Sequence, residues 1–182
     1  MVYVALLRGI NVGGKTKVEM PKLKALFEEL GCENVSTYIN SGNVIFQDER
    51  SANTLVSLIE EAITKTLGLN IRVVLRDSEN ISKLCREIPE SWANDKEQKT
   101  DVLFLWDEID SPNIIKKVVI NPKIENARYI DGALVWNIGR ENVTRGGGIK
   151  LIKTDFYKHM TARNINTVRK LYSLINEKSV KI

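Results

Sequence analysis

Residues Gly9-Ile10-Asn11-Val12-Gly13-Gly14-Lys15-Thr16 satisfy the spacing G-x-x-x-x-G-K-[ST] letter for letter. In nucleotide hydrolases that spacing makes a phosphate loop. Backbone N–H groups cradle the phosphates, the lysine reaches the outer ones, and a helix starts at once with its dipole aimed at the anion. Residues 102–107, Val-Leu-Phe-Leu-Trp-Asp, could pass for the second, acidic strand of such an enzyme. The context argues against it. A helix begun at Lys15 would carry Pro21 well inside, losing a hydrogen bond at a cost of about 3 kcal/mol. The amphipathic phase begins only at Pro21, and the strand pattern described below is antiparallel, whereas the loop needs a parallel βαβ unit. The match at residues 9–16 is read as a false positive for nucleotide hydrolysis. A Gly-rich loop that holds an anion stays open.

Other catalytic constellations are thin. His159 has Asp155 one helical turn before it, but no serine or cysteine is placed as a nucleophile. Glu28/Glu29 and Glu60/Glu61 alternate with apolar helix positions and read as solvated faces. Cys32, Cys85 and the single histidine lack metal-ligand spacing, so neither a metal nor a cofactor is expected, and catalytic residues stay unassigned.

Three polar clusters stand out instead. The first is Arg8 with Asn11, Gly13 and Gly14. The second is Asn40-Ser41-Gly42-Asn43. The third is Thr161-Ala162-Arg163-Asn164, read as opening the last helix with Asn164 as its N-cap. Arg8 leaves the end of a central strand, where a charge must be paired or face a cleft. Each cluster also has a purely structural reading: a hairpin turn, a cap, a local ion pair. Charge points the other way. The formal net charge is +4, yet residues 140–182 hold 10 basic and 3 acidic side chains against a nearly balanced body. The expectation is that Arg8, Asn11, Gly13, Gly14, Asn40, Ser41, Gly42, Asn43, Arg163 and Asn164 line one site for a phosphate-bearing or other anionic ligand, nucleic acid included. An enzyme acting on a small anionic metabolite and a homo-oligomeric interaction protein are the alternatives.

The elements that must position these residues can be read from hydrophobic period. Residues 2–7 are apolar on both alternating faces, as in a covered central strand. Pro21 opens a helix with Leu23, Leu26, Phe27 and Leu30 on one face and Gly31 beyond its end. Strands at 35–39 and 44–47 flank the Asn40–Asn43 turn. Ser51 caps a second helix that ends at Gly68, and a strand follows at 71–75. A helix from Ser78 stops near Pro89, and the polar stretch 90–100 is the joint. The theme then returns: a strand at 102–106, a helix capped by Asp110 or Ser111 with Ile114, Ile115, Val118 and Val119 inside, a hairpin about Asp131-Gly132, and one or two closing helices, the last over about 165–176. The fold class expected is α+β: two ferredoxin-like lobes of βαββαβ type with antiparallel sheets, closed by C-terminal helices. The boundaries are 1–77 for the first lobe, 78–100 for the helix and connector, and 101–182 for a second βαββα lobe with basic helices.

The chain has 182 residues, 43% hydrophobic and 27% charged, which is ordinary globular composition and excludes disordered and fibrous classes. The apolar run at the start stops at Arg8, too short for a signal-peptide core or a membrane span. Two thiols without a scaffold suit a reducing compartment, hence a cytoplasmic protein. LLRGINVGG, then YINSGNVIF about thirty residues on, and TARNINTVRKL near the end together resemble the bacterial family catalogued as domain of unknown function 1697. The resemblance implies an α+β protein of ferredoxin-like parts, cytoplasmic, with no established reaction. Members of that family do not generally hold Lys-Thr where this chain has Lys15 and Thr16, and they often show Trp where it has Ile165.

Overall fold

The computed structural model describes residues 1–13 and 16–179. The chain divides into two compact units, Met1–Glu79 with Leu174–Ile182, and Asn80–Ser173.

The first unit is built on β1 (Val2–Leu7), β2 (Glu33–Tyr38), β3 (Asn43–Gln47) and β4 (Val73–Asp77), in the order β2-β3-β1-β4. β1 pairs antiparallel with both β3 and β4, which is why its apolar side chains run unbroken: all six residues are buried. Tyr3, Ala5, Leu7, Val44 and Phe46 form one face of the core with two helices. α1 (Met20–Glu29) carries Pro21 in its first turn and buries Leu23, Leu26 and Phe27. α2 (Ala52–Leu67) is capped by Ser51, whose hydroxyl accepts from the Thr54 N–H at 3.3 Å, and buries Leu55, Ile59 and Ile63. Phe27 meets Phe46 edge-on, with ring centroids 5.1 Å apart. The antiparallel neighbours of β1 leave no parallel βαβ unit, and α1 starts only at Met20. Both facts remove the scaffold that a phosphate loop over 9–16 needs. Lys15 lies outside the described residues.

The second unit repeats the pattern with β5 (Gln98–Leu105), β6 (Glu125–Ile130), β7 (Ala133–Gly139) and β8 (Met160–Asn164), ordered β6-β7-β5-β8. All its ladders are antiparallel. The protein is therefore α+β, with two four-stranded antiparallel sheets of one ferredoxin-like strand order. α3 (Ser78–Glu87) buries Ile81 and Leu84, α4 (Gly148–Ile152) is one short turn, and α5 (Ile165–Ser179) ends the described chain. Ile165 is fully buried, so a larger ring at that position would sit in packed core.

Two elements differ from the sequence expectation. The helix expected after Ser111 is a 3-10 turn, Pro112–Lys117, and Val118 is already extended. Ile114 is buried as expected, but Val119 is 55% exposed. Three β-branched residues in a row, Val118, Val119 and Ile120, and the Asn121-Pro122 pair explain the early stop. Of residues 161–164, only Asn164 takes part in opening the last helix, as the residue just before it. All four lie in β8, the edge strand beside β5.

Candidate functional site

The first two polar clusters come together in the first unit. Asn11, at φ 55°, donates through Nδ2 to the Asn40 carbonyl at 2.8 Å and to the Val18 carbonyl at 2.9 Å, and its Oδ1 accepts from the Val18 N–H. The Leu7 N–H donates to the Gly42 carbonyl at 2.9 Å. Asn43 is fully buried and donates to the Tyr38 carbonyl and the Ser41 hydroxyl. These amides therefore tie the Gly-rich loop to the β2–β3 turn. Gly9 and Gly13 supply positive φ in that loop, and the Arg8 N–H donates to the Arg72 carbonyl at 3.0 Å. Gly14 lies outside the described residues.

Arg163 and Asn164 belong to the second unit. Arg163 is 7% exposed and donates through Nη1 to the Thr161 hydroxyl at 3.1 Å and the Ala162 carbonyl at 2.8 Å. Burial pulls its guanidinium down to about 10, because a charge in a poor dielectric is costly. Asn164 Oδ1 accepts from the Thr167 N–H at 2.9 Å, so it caps α5 as its sequence position predicts. Strand alternation puts Arg163 and Ala162 on opposite faces of the sheet.

The face that Ala162 shares holds a cavity of about 330 Å³. Its floor is Leu103 of β5, Trp136 and Ile138 of β7, and Ala162 of β8. Its roof is α4, with Gly148, Ile149, Leu151 and Ile152, and Val143 and Tyr157 complete the lining. One polar pair enters: Lys99 Nζ lies 2.8 Å from Asp101 Oδ2, with side chains 39% and 27% exposed. Apolar walls with a few convergent polar groups are the usual form of a small-molecule site.

Glu125 builds two of those walls. It is 2% exposed, and four hydrogen bonds from three donors end on its carboxylate. The Asn121 N–H donates at 2.7 Å, the Trp136 indole Nε1–H at 2.9 Å, and the Gly147 N–H to both oxygens at 2.9 and 3.0 Å. A Cβ on Gly146 would stand 2.6 Å from Glu125 Oε2, and one on Gly147 would land on the Val119 carbonyl oxygen. Gly146 and Gly147 are therefore required by close approach, not by turn geometry. The polar clusters do not point to this pocket. The run Gly146-Gly147-Gly148 is the one sequence signal that does, since adjacent glycines mark a backbone pressed against something. Among the described residues, no three His, Cys, Asp or Glu side chains gather as a metal site, and no helix is long and apolar enough to cross a membrane.

Comparison with known proteins agrees with this architecture. The solved structure of the conserved bacterial protein SP0830 from Streptococcus pneumoniae is similar to this chain, with a TM-score of 0.82 and 30% sequence identity. The match covers 94% of this chain and 97% of that one. No curated protein matches. Residues 1–136 match the family described as "Protein of unknown function (DUF1697)", and the chain belongs to that family.

Proposed function

We propose that this member of the DUF1697 family is a binding protein for a small amphipathic anion, with the ligand's apolar body in the cavity under α4 and its charged head beside Lys99. The observation that carries the reading is the cavity itself: about 330 Å³ of mainly apolar wall entered by one ammonium–carboxylate pair. Lys99 has three N–H donors and spends one on Asp101, so two remain for an oxyanion. The surroundings favour negative charge, since α4 and the turn after it carry exposed Lys150, Lys153 and Lys158 against Asp155 alone. The reading keeps the anionic ligand expected from sequence but moves its place. Asn11, Asn43, Arg163 and Asn164 have hydrogen bonds that hold the fold. It also includes a cytoplasmic location, supported by two free thiols, Cys32 and Cys85.

Titration calorimetry with 4-phenylbutyrate tests it. Wild-type protein is expected to bind the acid at least fivefold more tightly than 4-phenylbutanol. Ala162→Phe fills the floor from an exposed strand position, so it should abolish binding without unfolding the protein. Equal affinity for acid and alcohol would remove the anionic head from the reading. Undiminished binding by Ala162→Phe would remove the pocket.

A further inference from the structure

We infer that the natural occupant is an unbranched monocarboxylate that fills the pocket at about nine carbons, and that Glu125 fixes this limit. The inference rests on the binding reading above and names its ligand class. Two features of the cavity decide the head and the length.

The head follows from charge. Lys99 is the cation that lines the cavity, and Asp101 stands 2.8 Å from its ammonium. One ammonium shared with a fixed carboxylate suits a single negative charge. A phosphate monoester brings close to two, and its second charge would face Asp101, since the exposed Lys150, Lys153 and Lys158 add to the field around the cavity but do not line it. A carboxylate is therefore the fitting head.

The length follows from volume and stiffness. A cavity of about 150 Å³ takes benzene, so one of about 330 Å³ takes about a dozen non-hydrogen atoms. Nonanoate, with its nine carbons and two oxygens, is close to that number. The limit is sharp only if the walls cannot spread, and here they are pinned. The floor strands are held by continuous ladders, with Leu103 opposite both Leu134 and Ala162. The Trp136 ring is anchored through its Nε1–H, and the start of α4 through the Gly147 N–H, both to the same buried carboxylate. Floor and roof are thus fastened to one group, and an overlong chain must leave past the exposed Ile149 and Ile152 at the rim. Methylenes beyond that point stay in water and gain little.

The test is calorimetry with straight-chain carboxylates from butanoate to tetradecanoate, each below its micelle concentration. Affinity should rise about threefold to fourfold per methylene up to nonanoate and then level within a factor of two. Octyl phosphate should bind at least tenfold more weakly than nonanoate. Ala162→Leu adds three carbons to the floor from an exposed position and should move the break down by about three carbons. Glu125→Gln, where it folds, should blur the break toward longer chains. An uninterrupted rise to tetradecanoate, an unmoved break in Ala162→Leu, or equal affinity for octyl phosphate would overturn the inference and leave the amphipathic-anion reading standing. Failure of every carboxylate and of 4-phenylbutyrate would instead fell that reading itself.

Discussion

At the scale of single residues, the charged groups of the first unit serve its fold. Arg50 donates through Nε to Asp48 Oδ1 at 2.8 Å, through Nη2 to Oδ2 at 2.5 Å, and through its main-chain N–H to Oδ1 at 2.9 Å. The same guanidinium reaches the Leu30 carbonyl at 2.8 Å, which joins the end of α1 to the end of β3. These bonds hold the Asp48 carboxyl well below the usual carboxylate range. Burial first, then the Asp48 carboxylate, pushes the nearby Cys32 thiol up to about 12, so it stays a protonated thiol rather than a nucleophile. A carboxyl whose folded value is lowered stabilises the protein above the ordinary range near pH 4. That contribution is lost as pH falls through that range toward the lowered value. Asp48→Asn should therefore cost about 1.5–3 kcal/mol at pH 7 and clearly less at pH 3, read from urea midpoints at the two pH values. An equal cost at both would mean that Asp48 acts through packing alone.

At the scale of elements, two glycines with nearly the same backbone separate turn geometry from packing. Gly42 in the β2–β3 turn has φ +74° and Gly68 at the end of α2 has φ +66°. A Cβ at Gly68 meets nothing within 4 Å, but at Gly42 it would lie 2.6 Å from Ile10 Cδ1 and 2.9 Å from Leu7 Cβ. Gly68→Ala should cost about 1 kcal/mol from left-handed strain alone. Gly42→Ala should cost about 3 kcal/mol, the excess coming from overpacking against buried neighbours. Urea denaturation of the two variants checks the difference. Both glycines were legible as turn residues, because local chemistry sets φ. The crowding at Gly42 was not legible, because it depends on a loop thirty residues away. The same division runs through the fold. β1, α1, α2 and the Asp131-Gly132 hairpin follow from period and punctuation. β8 is missed because Thr161-Ala162-Arg163-Asn164 is short, polar and joined directly to α5, so its pairing with β5 alone makes it a strand.

At the scale of the whole molecule, the sequence shows how much charge each segment carries but not what each charge does. The excess of +7 in residues 140–182 suggests an anion-binding face. The structure divides it. Arg140 donates to the Asp95 carbonyl and Asn94 Oδ1, Arg169 to the Pro89 and Glu90 carbonyls, and Arg163 is buried. These guanidiniums hold the connector and strand ends, a role that needs tertiary partners and leaves no trace in composition. The pocket was illegible for the same reason, since its walls come from β5, β7, α4 and β8, and only the glycine run hints at it. Among the described residues, exposed Lys150, Lys153, Lys158 and Lys170 remain to meet phosphates, since Arg145 also has a partner in Asn142 Oδ1. About four such contacts predict a log–log salt slope no steeper than about −3 for single-stranded nucleic acid. A labelled random oligonucleotide, followed by fluorescence anisotropy between 50 and 200 mM salt, should show binding that weak. A slope of about −5 or steeper would mean that the arginines leave their carbonyls to meet the polymer, and would bring back nucleic acid as the ligand in place of a small amphipathic anion.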